Sequence, residues 1–238
     1  MIKPKLRKGL TIIILSTLFI AGGCKKEDKK PITNSNGSSG SPNGPTVGAN
    51  EVYNPTTGRI WMDRNLGASK VASSSTDVAA YGDLYQWGRE KDGHEKRNSE
   101  TTLVISDDDT PNHDKFIITQ SHSDWRNSDE TESWQGVNGK NNPCPSGYRI
   151  PTTEELEAEM DSWTSKDAEG AFGSPLKLPM SGFRSHVDGE LHEGDIGRYW
   201  SSEGSFSTAR NLEFGSYTAN VGGIGVAHGN CVRCIKDE

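Results

Sequence analysis

Apolar positions along the chain fall into three arrangements. Residues 10–20 form a short, mostly apolar run behind Lys3, Lys5, Arg7 and Lys8. The run is shorter than the roughly 20 residues a spanning helix needs, and it fits the core of a signal peptide. Leu156, Met160 and Trp163 recur at i, i+4 and i+7, which is one face of a helix. Thr152 and Glu155 stand three apart just ahead of that face, the spacing of a capping box, and Glu154, Glu155 and Glu157 suit the positive end of the helix dipole. Short strand-like runs make up the third arrangement. Val52–Tyr53 and Arg59–Met62 flank a reversal at Pro55 to Gly58. Further runs stand at 115–120, 176–180, 198–202, 210–214 and 231–235. Tyr81 to Gly88 fits either a helical face or a strand. Residues 90–139 are long, polar and irregular. Together these patterns predict an α+β domain with small antiparallel sheets, one or two helices and long loops.

Composition places that domain. Residues 31–50 are Gly, Ser, Asn and Pro without an aromatic, so they read as a flexible tether. From Lys25 to Asn50 the tether spans on the order of 28 Å. The expected organisation is a leader at 1–23, a tether at 24–50 and one domain at 51–238. With the leader's four bases removed, 22 of the 26 basic residues face 33 acids. Such an acidic chain is repelled by phosphate backbones, so a nucleic-acid partner is not expected. Apolar residues are only 31%, yet there are six each of Trp, Tyr and Phe, which suggests a loop-rich fold around an aromatic core.

The leader ends in "AGGC", which resembles a bacterial lipobox. The resemblance implies that Cys24 is acylated and becomes the N-terminus, so the membrane is engaged through lipid. The "KKEDKK" that follows is similar to the surface-export signal of Bacteroidetes lipoproteins; its plain alternative is a solvated charge run. An acylated Cys24 leaves Cys144, Cys231 and Cys234, an odd number.

In order, "GRIWMDRNLG", "YGDLYQWGR", "NPCPSGYRIPTTEEL", "YWSS" and "CVRCIKD" resemble the signature of the FISUMP family, the Fibrobacter succinogenes major paralogous domain. Tyr148 departs from the family's usual Trp, and Cys231 is an extra cysteine. The resemblance implies a C-type lectin-like fold with both chain ends in one small sheet, shared with formylglycine-generating enzymes. It also implies that Cys144, held between Pro143 and Pro145, is stapled to the C-terminal strand at Cys234. A Cys144–Cys231 link is the alternative. The C-x-x-C at Cys231 and Cys234 reads poorly as a redox or metal pair, because residues three apart on a strand face opposite sides.

Two further candidates come from residue type alone. Asp107, Asp109, Asn112 and Asp114 are hard oxygen donors suited to calcium, although without EF-hand spacing. Trp125 and Trp134 lie in the long polar stretch; exposed, they would stack on sugar rings, and buried, they would pin the loop. No catalytic set is expected. The leading functional expectation is an outer-membrane, surface-exposed binding module for a glycan or surface protein. The alternatives are a formylglycine-generating-enzyme-like oxidase and a structural or fimbrial envelope subunit.

Overall fold

Asn54 begins the fold by closing its first hairpin. Its side-chain oxygen accepts from Thr56 N at 2.9 Å, and Gly58, at φ +73°, completes the reversal. Strands β1 (Glu51–Asn54) and β2 (Arg59–Met62) thereby pair with Val52 opposite Trp61. The computed structural model describes residues 44–128, 130–205 and 207–238. The leader, Cys24 and most of the tether lie outside these residues.

After a 3-10 turn at Val78–Ala80 come β3 (Tyr85–Gln86), β4 (Thr101–Thr102), β5 (Phe116–Ile117) and β6 (Tyr148–Arg149). Of residues 81–88, ambiguous in sequence, Tyr85–Gln86 form a short strand and none belongs to an α-helix. Helices α1 (Thr153–Asp161) and α2 (Ala168–Gly173) precede β7 (Phe183–Arg184) and β8 (Leu191–His192). The long strands β9 (Ile196–Ser205), β10 (Thr208–Gly215) and β11 (Ala219–Gly225) form one antiparallel sheet. The chain closes with β12 (Gly229–Asn230) and β13 (Ile235–Lys236). A four-stranded sheet in the order β1-β2-β13-β6 places the last strand beside the second, with Ile235 opposite Trp61. Another runs β3-β12-β7-β8, and β4 and β5 pair in parallel. The architecture is α+β.

The expected cap is present. Thr152 Oγ1 accepts from Glu155 N at 3.2 Å, and Glu155 Oε2 accepts from Thr152 N at 2.9 Å. Arg149 grips Glu155 with two bonds of 2.7 and 2.8 Å. Leu156 and Trp163 are buried as the periodicity requires. Glu159 is buried as well, and its carboxylate accepts from Asn54 Nδ2 at 2.6 Å and Trp163 Nε1 at 3.1 Å. A charge on the inner face is tolerated because both oxygens have donors.

Two strand expectations fail. Residues 176–180 alternate buried and exposed positions at their start, but join no ladder. Lys177 sits at φ 48°, Pro179 has no N–H, and Leu178 N and Met180 N donate to Ala171 and Ser75 carbonyls. In 231–235 only Ile235 enters a strand. Arg233 is buried there; its guanidinium donates to Asn65 Oδ1 at 2.8 Å and to the Leu176 carbonyl at 2.7 Å.

Two apolar cores flank this C-terminal segment. One gathers Trp61, Leu84, Leu156, Trp163, Leu212 and Phe214. The other gathers Tyr85, Trp87, Trp125, Trp134 and Trp200. Cys231 packs into the first and Cys234 into the second. Cys234 is bonded to Cys144 across a separation of 90 residues. Cys231 is free and buried.

Candidate functional site

The 90–139 segment is irregular yet firmly held. Trp125 and Trp134 are both fully buried, which corrects the expectation that they form a stacking surface. Trp125 Nε1 donates to the Trp87 carbonyl at 2.9 Å, and Trp134 Nε1 donates to the Arg89 carbonyl at 3.2 Å. Each indole satisfies its one polar atom internally, so neither face reaches solvent. Arg89 is buried beside them. Its guanidinium donates to Asp92, to Gln86 Oε1 and to the carbonyls of Lys115 and His113. Asn141 Nδ2 bridges the carbonyls of Gly88 and Asp109. These bonds replace the missing regular ladders.

The calcium candidates do not converge, which corrects the second expectation. Asp109 is buried and takes Lys140 Nζ at 2.8 Å and Ser133 Oγ at 3.1 Å. Asp107 accepts from Asn127 Nδ2, and Asn112 Nδ2 donates to the Thr110 carbonyl. Asp107 and Asn112 border a shallow hollow of about 270 Å³, but Asp109 and Asp114 do not line it. Among the described residues, the acidic, His or Cys set whose three ligand atoms lie within 4.8 Å is Asp92, His94 and Glu95. His94 is committed there. Nε2 accepts from Gln86 N at 3.1 Å, which leaves Nδ1–H to donate to Asp92 Oδ1 at 2.7 Å. Burial pulls the His94 pKa down to about 4 against the pull of Asp92, so the ring is a neutral structural knot.

A different surface is open. Thr101, Thr102, Leu103, Ile118, Gln120, Val187 and Asp188 line a groove of about 490 Å³. Leu103 is 62% exposed, its neighbour Val104 70% and Val187 50%. The parallel pair β4–β5 forms one wall. The turn between β7 and β8 forms the other, docked by Thr119 N donating to the His186 carbonyl at 2.9 Å. Gly189 makes the approach possible: at φ +77°, a Cβ there would lie 2.9 Å from Thr101 Cγ2. The Ser185 hydroxyl holds the Asp188 carboxyl below its ordinary range, so the groove carries a negative charge. Sequence reasoning missed this site. Its one local signal was the apolar "LVI" at 103–105 inside a polar stretch.

The cysteines offer no open thiol pair among the described residues. Cys144 and Cys234 are bonded, and burial pushes the Cys231 thiol up while its S–H donates to the Tyr81 carbonyl. No described helix is long and apolar enough to cross a membrane. No protein-family model, curated protein or solved structure matches the chain.

Proposed function

We propose that this chain is a lipid-anchored, non-catalytic binding module of the outer-membrane surface. Cys24 carries the anchor, the tether holds the domain off the headgroups, and the 101–103/187–188 groove takes the partner. The lectin-like reading draws support from the meeting of chain ends at β2 and β13 and from the long loops held on a rigid frame. The observation that carries the proposal is the groove, where the exposed aliphatic side chains of Leu103 and Val187 share a lining with Thr101, Thr102, Gln120 and the Asp188 carboxylate. Isolated exposed apolar residues are ordinary, but a contiguous set in a concave site marks recognition. Aliphatic walls without an aromatic platform favour an extended segment of a surface protein over a sugar ring. Such a segment would place an aliphatic side chain beside Leu103 and a basic one beside Asp188. The closed Cys144–Cys234 bond and buried Cys231 weigh against the oxidase alternative.

A glycan remains the second reading on one observation. Tyr217 is 93% exposed at the tip between β10 and β11, beside a hollow of about 320 Å³ that Phe172, Met180, Glu169 and Ser216 help to line. The test places a photoreactive residue at Val187 of the full chain displayed on cells. A discrete protein adduct is expected, reduced at least about tenfold by Leu103→Asp, a loss of about 1.4 kcal/mol, and unchanged by Tyr217→Ala. An adduct insensitive to Leu103→Asp, or none, rejects the groove. Glycan binding abolished by Tyr217→Ala selects the second reading.

A further inference from the structure

The segment from Glu100 to Ser106 is paired along one side only. The Glu100 and Thr102 carbonyls accept from Phe116 N at 2.8 Å and Ile118 N at 2.7 Å, in a parallel register that sets Thr101 opposite Phe116. Pairing resumes at Ser106, whose N–H donates to the Trp125 carbonyl at 3.0 Å and whose carbonyl accepts from Asn127 N at 2.8 Å. Between them, Val104 N is taken by Thr102 Oγ1 at 3.2 Å. A strand turns its main-chain groups alternately to its two edges. Thr101 and the next odd-numbered residue, Leu103, therefore address the opposite edge. Among the described residues, nothing bonds to the N–H or C=O of either.

This edge lacks the usual guards. Sheet edges are commonly protected by Lys, Pro, a bulge or a covering loop. Here residues 101–105 read Thr-Thr-Leu-Val-Ile, with no charge and no proline, and both Leu103 and Val104 are exposed. Neighbouring side chains open onto different hollows. Leu103 borders the groove already described, together with Val187 and Asp188. Val104 borders the hollow of about 270 Å³ that also holds Asp107 and Asp108. Neither lining includes a Lys or Arg, so both hollows favour a cation.

We propose that the partner binds by strand addition: a short extended segment of another protein becomes a third strand on the outer edge of β4, exchanging main-chain hydrogen bonds with Thr101 and Leu103. The proposal rests on the groove reading above and adds the mode of binding. Side chains of the added strand point alternately to its two faces, so one set meets Leu103 and Asp188 and the other meets Val104 and the Asp107–Asp108 pair. The main-chain bonds supply affinity with little regard to sequence. The two hollows supply the selection, for aliphatic residues interspersed with Lys or Arg.

The test selects linear peptides from a random display library on the purified full chain and follows the tightest by amide hydrogen exchange. In the free chain Thr102, inside the ladder, should exchange slowly, and Thr101 and Leu103 fast. Bound peptide should slow Thr101 and Leu103 at least about tenfold. Leu103→Asp, at an exposed position outside both cores, should weaken binding at least about tenfold. Two versions of the peptide, N-methylated at alternate residues along one edge or the other, should differ: one binds and one does not. Slow exchange of Thr101 and Leu103 in the free chain would mean that the edge is already covered and would overturn the proposal. A peptide weakened by Leu103→Asp that leaves both amides fast, or whose two methylated versions bind equally, would keep the groove and reject strand addition. A library yielding no peptide sensitive to Leu103→Asp would reject the groove and strand addition together.

Discussion

A buried indole and a buried imidazole differ in what acid does to them, and both kinds decide this fold. Trp134 fills the second core against Trp87 at 5.7 Å, and truncation would leave a large void and an unpaired Arg89 carbonyl. Trp134→Ala is expected to cost about 3–5 kcal/mol and to expose the 90–139 segment to protease. Chemical denaturation and limited proteolysis measure the two effects; a stable, protease-resistant variant would mean the loop is held elsewhere. His94 and His228 make the protein acid-sensitive. Their folded pKa values, about 4 and about 3, lie below the ordinary 6.5. Above pH 6.5 neither group matters. As pH falls below 6.5 the unfolded chain takes up protons that the folded chain refuses, so stability declines, and the decline ends only below the folded values. Each group contributes up to about 1.4 kcal/mol per pH unit in that window, less for the partly exposed His228. Urea unfolding at pH 7.5 and 5 should show the drop, and His94→Gln should reduce it.

Among the elements, α1 was legible and β11 was not. The helix announces itself locally, because Thr152, Glu155 and the Leu156 face lie within a dozen residues and each has a defined physical role at its spacing. Thr152→Ala should therefore cost about 1 kcal/mol and leave the sheets intact, measured as a shift in thermal midpoint with unchanged tertiary signal. The first hairpin was legible for the same reason, through the reversal at Pro55 to Gly58. By contrast, Gly222, Gly223 and Gly225 belong to a strand whose sequence argues against one. Its pairing comes from β10, whose buried Leu212 and Phe214 fix the register opposite Val221 and Ala219. Helix α2 is six residues with two glycines, too short to show a period. The groove was invisible because its walls come from 101–103, 118–120 and 187–188, which only tertiary pairing brings together. Trp125 and Trp134 were visible as important, but residue type alone does not say which way an indole faces.

At the scale of the whole molecule, the ends decide behaviour. Lys236 Nζ meets Glu51 Oε1 at 2.7 Å, so β1 begins beside the C-terminal strand. Closing the 90-residue loop with Cys144–Cys234 should stabilise by roughly 4–5 kcal/mol, a loss expected in Cys144→Ala. Cys231 should not substitute, since it packs into the other core; a non-reducing peptide map of Cys234→Ala should find Cys144 and Cys231 unlinked. The same bond has a mechanical meaning for the domain when it is pulled by its two ends. Under load, residues between the two sulfurs cannot be drawn out, so the whole of α1, α2 and the three-stranded sheet is removed from the extensible length. At about 3.3–3.6 Å per residue, an oxidised domain stretched by its ends should lengthen roughly 300 Å less than a reduced one. Single-molecule extension with and without reductant would read that difference, and it would make the disulfide a strain limiter whose setting depends on whether the bond is closed or reduced.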